Sequence, residues 1–339
     1  MVSCRSRKNP VSGWKSIRLR CENLRPRRWE DRSTPPGRGG GGRDAAGMIA
    51  EAPKFARLPF MSPPTDAARL AARARPAGSP VLRQRWSQLL FLHWAWDPAV
   101  VQRTLPPGLA VDTFDGKAWL GVVPFFMRGV RPPYFPPVPG ISNFLGLNVR
   151  TYVYDAQGRP GVWFYSLDAN LWLAVELARA WWHLPYQHAE MSAPVEADGT
   201  VDYAVRRQSA ERESNFRYRA AGGGRKSAVG SQEFFLIERY RFFAHDAERG
   251  RLFTGRVAHA PYRVSSAEVP VWDDAPLEMA GFNPAARKSV LATPRGRAPD
   301  HVCAAEEVDV EVFAPECVAQ PARMIVAPAG ALGEGALPA

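Results

Sequence analysis

The hydrophobic pattern divides the chain before any composition is counted. Residues 1–47 hold few apolar positions at any period and run into GRGGGG at 37–42, too little to bury against the entropy of ordering. After Met61 a short Ala-rich helix is predicted, with Asp66 as its cap and Pro76 beyond its end. At Trp86 the character changes: WSQLLFLHWAW at 86–96 reads as one buried strand, and Asp97-Pro98 as a capped helix start. VDTF-DG-KAWLGVVPFF at 111–126 predicts a hairpin, with Asp115-Gly116 supplying the positive φ angles of its turn. LNVRTYVYD at 147–155 and VWFYSL at 162–167 predict two more strands. A helix is predicted over about 169–182, capped by Asp168, with Leu171, Val175, Ala178 and Trp182 on one face. Shorter strands follow near 188–193, 201–207, 213–219, 239–244, 251–259, 261–269 and 307–313, with a helical turn at 231–238.

Many strands and two to three helices predict an α+β domain: a mostly antiparallel curled sheet or β-barrel with helices packed outside. Its expected limits are residues 81–315. Residues 1–80 are expected to be a disordered basic leader, in which Met48 and Met61 both read as natural starts, and residues 316–339 a disordered tail.

Charge sharpens that division. The net charge of +11 lies wholly in residues 1–80, which hold 17 Lys or Arg against 6 Asp or Glu; residues 81–339 hold 27 of each sign. The body therefore has no global basic field to steer a polyanion. Nucleic acid is expected as a partner only if the leader acts as a binding arm; a transit peptide is interrupted by Glu22, Glu30, Asp31 and Asp44. Cys4, Cys21, Cys303 and Cys317 form no C-x-x-C pair and fit reduced thiols in a cytoplasm. The apolar run LLFLHWAW at 89–96 is far short of a membrane span, so no membrane partner is expected.

Familiar chemistries are missing. Gly37, Gly39 and Gly42 match a dinucleotide fingerprint in spacing, without the strand before or the helix after. Gly222-Gly223-Gly224-Arg225-Lys226-Ser227 resembles the end of a phosphate loop, but Arg225 stands where Gly is needed and the stretch reads as a loop between strands. There is no G-x-S-x-G elbow. His183 and His188 are separated by Pro185 and lack a third ligand, so no metal is expected, and no cofactor signature is present. Lys117, Lys226 and Lys288, the lysines of the body, all read as solvated, which disfavours a Schiff base.

What remains is polar residues sharing strand faces with aromatics. Period two puts Asn148, Arg150, Tyr152 and Tyr154 on one face of their strand, either toward solvent or toward the inside of a closed sheet. In the second case Arg150 is a buried cation needing an anion from protein or ligand. Tyr186, His188 and Glu190 likewise share a face, and His259 ends a strand before Pro261.

RWSQLLFLHW, LPPGL, FDGKAWLGVVPF, LNVRTYV, GVWFYSLDA, LARAWWHLPY and ERYRFF occur in this order over about 83–243, followed by HAPYR at 259–263. Together they resemble the YqjF-like family, a bacterial domain of unknown function grouped with the acetoacetate decarboxylase-like fold. The resemblance implies a β-barrel-like core around a small-molecule cavity. It also exposes departures. Leu184-Pro185-Tyr186-Gln187 stands where the decarboxylase carries its lysine, Gly146 stands where the family usually has Glu, and Tyr262 where Trp is expected.

Three functions follow as expectations. In the first, a small anionic or carbonyl-containing ligand binds through Arg150, Asn148, Tyr152, Tyr186 and His188, with Trp163 and Trp172 as walls. In the second, an acid/base enzyme of lyase or hydrolase type works on a keto or enolisable acid through His188 or Glu190. In the third, the leader binds nucleic acid. Oligomeric state leaves no mark in the sequence.

Overall fold

A computed structural model describes residues 61–282 and 297–318. Fifteen strands are formed there: β1 Leu82–Ser87, β2 Leu89–Trp96, β3 Leu109–Val111, β4 Ala118–Arg131, β5 Phe144–Asp155, β6 Pro160–Ala169, β7 Tyr186–Ser192, β8 Val201–Arg207, β9 Ser214–Lys226, β10 Arg241–Asp246, β11 Arg251–Ala258, β12 Arg263–Val271, β13 His301–Ala305, β14 Val308–Val312 and β15 Glu316–Cys317. Five helices accompany them: α1 Asp66–Ala71, α2 Pro98–Gln102, α3 Trp172–Trp182, α4 Gln232–Ile237 and α5 Ala275–Met279. None is long and apolar enough to cross a membrane.

The strands make one curled sheet in the order β1-β14-β11-β10-β6-β7-β8-β9-β12-β13-β2-β4-β5-β3. Two further pairings, β1 with β4 and β5 with β6, fold this path back on itself twice, so that β4, β5 and β6 belong to both circuits. The sheet is mixed rather than wholly antiparallel, because β6 runs parallel to both β7 and β10.

The shared strands are apolar on both faces, which is why their sequences read as dense runs. On β4, Trp119, Val123, Phe125 and Met127 join one core, while Ala118, Leu120, Val122 and Phe126 join the other. β5 has no solvent face: Leu145 is partly exposed and every other residue is buried. The solvent-facing alternative for Arg150 is thereby removed.

Several local expectations change. The apolar run 86–96 is two strands, broken at Gln88, whose φ is 52°. Asp115 and Gly116 do turn with positive φ, but the turn is closed only by a Phe114–Lys117 bridge, because β3 pairs with β5 rather than β4. Thr65, not Asp66, caps α1. α3 starts at Trp172 after an uncapped Leu171, since Asp168 is the penultimate residue of β6. The glycine stretch 222–224 lies inside β9 rather than in a loop; a side chain at Gly224 would collide with the Glu306 carboxylate.

The folded body also begins earlier than residue 81. Arg69 of α1 is buried against Asp112 at 2.7 Å, Arg73 reaches Glu238 at 3.2 Å, and Arg75 binds Glu311 at 2.5 Å. Part of the basic surplus is thus spent on carboxylates of the sheet. The expectations for residues 1–60, for Lys288 and for the tail after Val318 lie outside the described residues.

Candidate functional site

One face of the β4–β5–β6 wall opens on a cavity of about 250 Å³. Its floor and sides are mostly apolar, supplied by Phe91, Val123, Phe125, Phe144, Phe164 and Phe242 among others. α3 closes one side through Ala174, Leu177, Ala178, Trp181 and Trp182. The small side chains at 174 and 178 leave room there that larger ones would fill.

Arg150 and Asn148 enter this cavity from β5, and Tyr186 from the start of β7. Arg150 is buried; its Nη2 donates to the Leu236 carbonyl at 3.1 Å, and its guanidinium lies 5.3 Å from the Phe91 ring and 5.6 Å from that of Tyr152. Gly121, opposite Arg150 on β4, makes this possible, because a Cβ there would sit 3.4 Å from the Arg150 Cγ and 3.2 Å from the His93 ring. No carboxylate pairs with Arg150 among the described residues. Arg239 and Arg241 also line the cavity. Arg239 shares Asp112 with Arg69, and Arg241 donates to the Thr254 hydroxyl at 3.0 Å. Burial pulls both guanidinium groups down to about 10.

The lining is unbalanced in hydrogen bonding. Buried Arg150 Nε, Arg239 Nη2, Arg241 Nε, Trp86 Nε1 and Trp182 Nε1 find no protein acceptor, whereas the one lining acceptor without a partner is Asn148 Oδ1. Buried donors ordinarily find acceptors, and five N–H groups of residues that line this one cavity do not.

Tyr152 lies under Arg150 without lining the cavity, and it begins a chain that sequence reading missed. Its hydroxyl is 2.8 Å from His93 Nε2, and His93 Nδ1 is 3.1 Å from His301 Nδ1. Burial, then His301 and Arg150, hold the His93 imidazole well below its ordinary value, so it is neutral. With one proton between the two Nδ1 atoms, the chain has two directions. Either His93 donates to His301 and accepts from Tyr152, or both bonds are reversed. Such a chain can carry a proton between Tyr152 and the half-exposed His301. The only sequence signal was the polar His93 inside an apolar strand; its partner is 208 residues away.

The structure separates the other expected residues from the cavity. His188 does not line it; its Nε2 is 2.9 Å from the Glu176 carboxylate of α3, beside exposed Trp172. Glu190 is exposed and paired with Arg206. Trp163 and Trp172 are not walls. A register shift between β5 and β6 at Val149/Arg150 puts Phe164, rather than Tyr165, opposite Arg150, and Trp163 falls opposite Thr151. His183 ends α3 with a φ of 51° and stacks on Phe253. At Gly146, the Phe125 ring lies 3.1 Å from where a Cβ would stand, so phenylalanine occupies the space a glutamate would need. Tyr262 lines the cavity, and burial raises its hydroxyl pKa. Lys117 and Lys226 are exposed and line no part of it. Among the described residues no group of three His, Cys, Asp or Glu side chains is gathered as a metal site.

Solved structures similar to the chain include the enduracididine biosynthesis enzyme MppR complexed with pyruvate, at 13% identity and TM-score 0.48 over 71% of this chain and 91% of that one. An acetoacetate decarboxylase-like enzyme from Sphingomonas wittichii RW1 matches at 14% identity and TM-score 0.46 over 71% of this chain and 94% of that one. The uncharacterized protein YqjF of Bacillus subtilis (strain 168) is 35% identical over 198 residues, 58% of this chain and 80% of that protein. The profile of DUF2071, described as an uncharacterized conserved protein, matches residues 83–309, and the chain belongs to that family.

Proposed function

We propose that the cavity binds a small anionic or carbonyl-containing ligand without a covalent bond to lysine. The observation that carries this reading is Arg150: a buried guanidinium with no carboxylate partner, set among four other lining N–H donors that lack acceptors. A buried cation is costly unless an anion and hydrogen bonds compensate it, and a ligand carboxylate supplies both. Asn148 offers a second polar contact and Tyr186 a third. A cytoplasmic setting fits the free thiols of Cys303 and Cys317.

Titration calorimetry with a panel of short 2-oxo acids tests the reading. Arg150→Leu is expected to weaken binding by about 10- to 100-fold, the range of one hydrogen bond to a charged group. Borohydride treatment of the loaded protein is expected to leave its mass unchanged. Full affinity in folded Arg150→Leu overturns the anion site, and a reduced adduct on lysine overturns the non-covalent mode.

A further inference from the structure

Arg150 and Asn148 lie at one end of the cavity wall on β5, and Phe144 at the other. Arg150 and Phe144 are six residues apart on β5, about 20 Å along an extended strand. Between them the β4–β5 wall loses its polarity step by step. Arg150 faces Gly121, Asn148 faces Val123, Gly146 faces Phe125, and Phe144 faces Met127. Beyond Asn148 every lining side chain on these two strands is apolar, and the missing side chain at Gly146 is replaced by the Phe125 ring.

The opening is marked by residues that line the cavity and also meet solvent. On α3 these are Leu177, 38% exposed, and Trp181, 64% exposed. An apolar cavity that ends in an exposed apolar rim, with Arg150 buried within it, matches a guest with one charged end and a hydrocarbon body. A two- or three-carbon acid at Arg150 would leave the Phe125, Phe144 and Met127 surface without a partner.

We propose that the ligand is an amphipathic monocarboxylic acid, with its carboxylate at Arg150 and Asn148 and its hydrocarbon chain running past Phe125 and Phe144 to the α3 rim. This rests on the reading of Arg150 as the anion site and adds the chemistry of the rest of the molecule.

The experiment is calorimetry of the full chain with butanoate, octanoate and octanol. Each buried methylene adds about fourfold in affinity, so octanoate is expected to bind on the order of 200-fold tighter than butanoate. Octanoate is expected to exceed octanol by about 10- to 100-fold, and Arg150→Leu to remove that excess while keeping octanol binding. Ala178→Phe, which fills the α3 side, is expected to weaken octanoate and leave butanoate unchanged. Thermal melts check that both variants fold. Equal binding of butanoate and octanoate, each weakened by Arg150→Leu, overturns the apolar chain and keeps the anion site. Equal binding of octanoate and octanol, unaffected by Arg150→Leu, overturns the anion site. No binding of either acid overturns both.

Discussion

On one side of the β4–β5–β6 wall, Arg207 is held by both oxygens of Asp168, at 3.0 and 3.1 Å, and by the Ser166 hydroxyl at 2.9 Å. On the other side, Arg150 donates to the Leu236 carbonyl and lies against the Phe91 ring and Tyr152, with no carboxylate among the described residues. Both guanidinium groups are buried to a similar degree. The difference lies in what surrounds them. The Arg207 side is filled by side chains such as Trp94, Leu147, Tyr203 and Phe216, and Tyr203 donates its hydroxyl to the Gly146 carbonyl at 2.8 Å, while the buried Ser214 hydroxyl there has no partner. The Arg150 side contains the cavity and most of the unmatched donors. One sheet thus holds a buried arginine with a carboxylate partner and a buried arginine without one.

The largest expected effect comes from breaking the matched side. Asp168→Ala leaves Arg207 buried without its carboxylate and is expected to cost about 3–5 kcal/mol of stability in urea melts. Arg150→Leu removes no ion pair and is expected to stay within about 1 kcal/mol of the parent. Equal losses for the two variants would erase the distinction between them.

A smaller effect is expected from packing. Gly255 pairs with Phe242, and a Cβ at 255 would stand 2.1 Å from the Phe242 ring, which lines the cavity. Gly255→Ala must displace that ring, so a loss of about 1–3 kcal/mol is expected together with weaker carboxylate binding. Unchanged affinity in this variant would show that Phe242 bounds space the ligand does not use.

The smallest effect concerns pH. His93 stacks beside cavity-lining Phe91, and its folded-state pKa lies below the ordinary 6.5 because it is buried. The unfolded chain then binds more protons than the folded one below about pH 6.5. Stability is expected to be full above that pH and to fall as pH drops, by up to about 1.4 kcal/mol per pH unit from this residue. Urea midpoints measured from pH 7.5 to 5 in the parent and in His93→Gln check this. A slope unchanged by the substitution would remove His93 from the cavity side's pH response.

Much of the fold was legible because strand periodicity is local. LNVRTYVYD gave both faces of β5, and with them the grouping of Asn148, Arg150 and Tyr152. Asp115-Gly116 gave a turn for the same reason, since positive φ at two successive positions restricts the residue types. The partner of the arm before that turn was not legible, because β3 finds β5 across 42 to 46 residues and no local rule fixes that choice. The bulge in β6 was hidden as well, and it set Phe164 rather than Tyr165 opposite Arg150. His188 and Glu190 shared a face with Tyr186 as period two requires, yet only Tyr186 reaches the cavity, since His188 turns to Glu176 of α3 and Glu190 to Arg206 of β8.

Taken alone, the amino-acid sequence determined the strand-rich class, the family, the concentration of charge before residue 80 and the poverty of lysine in the body. These depend on composition, order and short-range periodicity. Tertiary structure decided which arginine has a carboxylate and which does not, that Arg69 and Arg239 share Asp112, and that His93 meets His301. Each of these is a contact between residues distant in the chain, set by how a curled sheet closes on itself, and no window of sequence contains both partners.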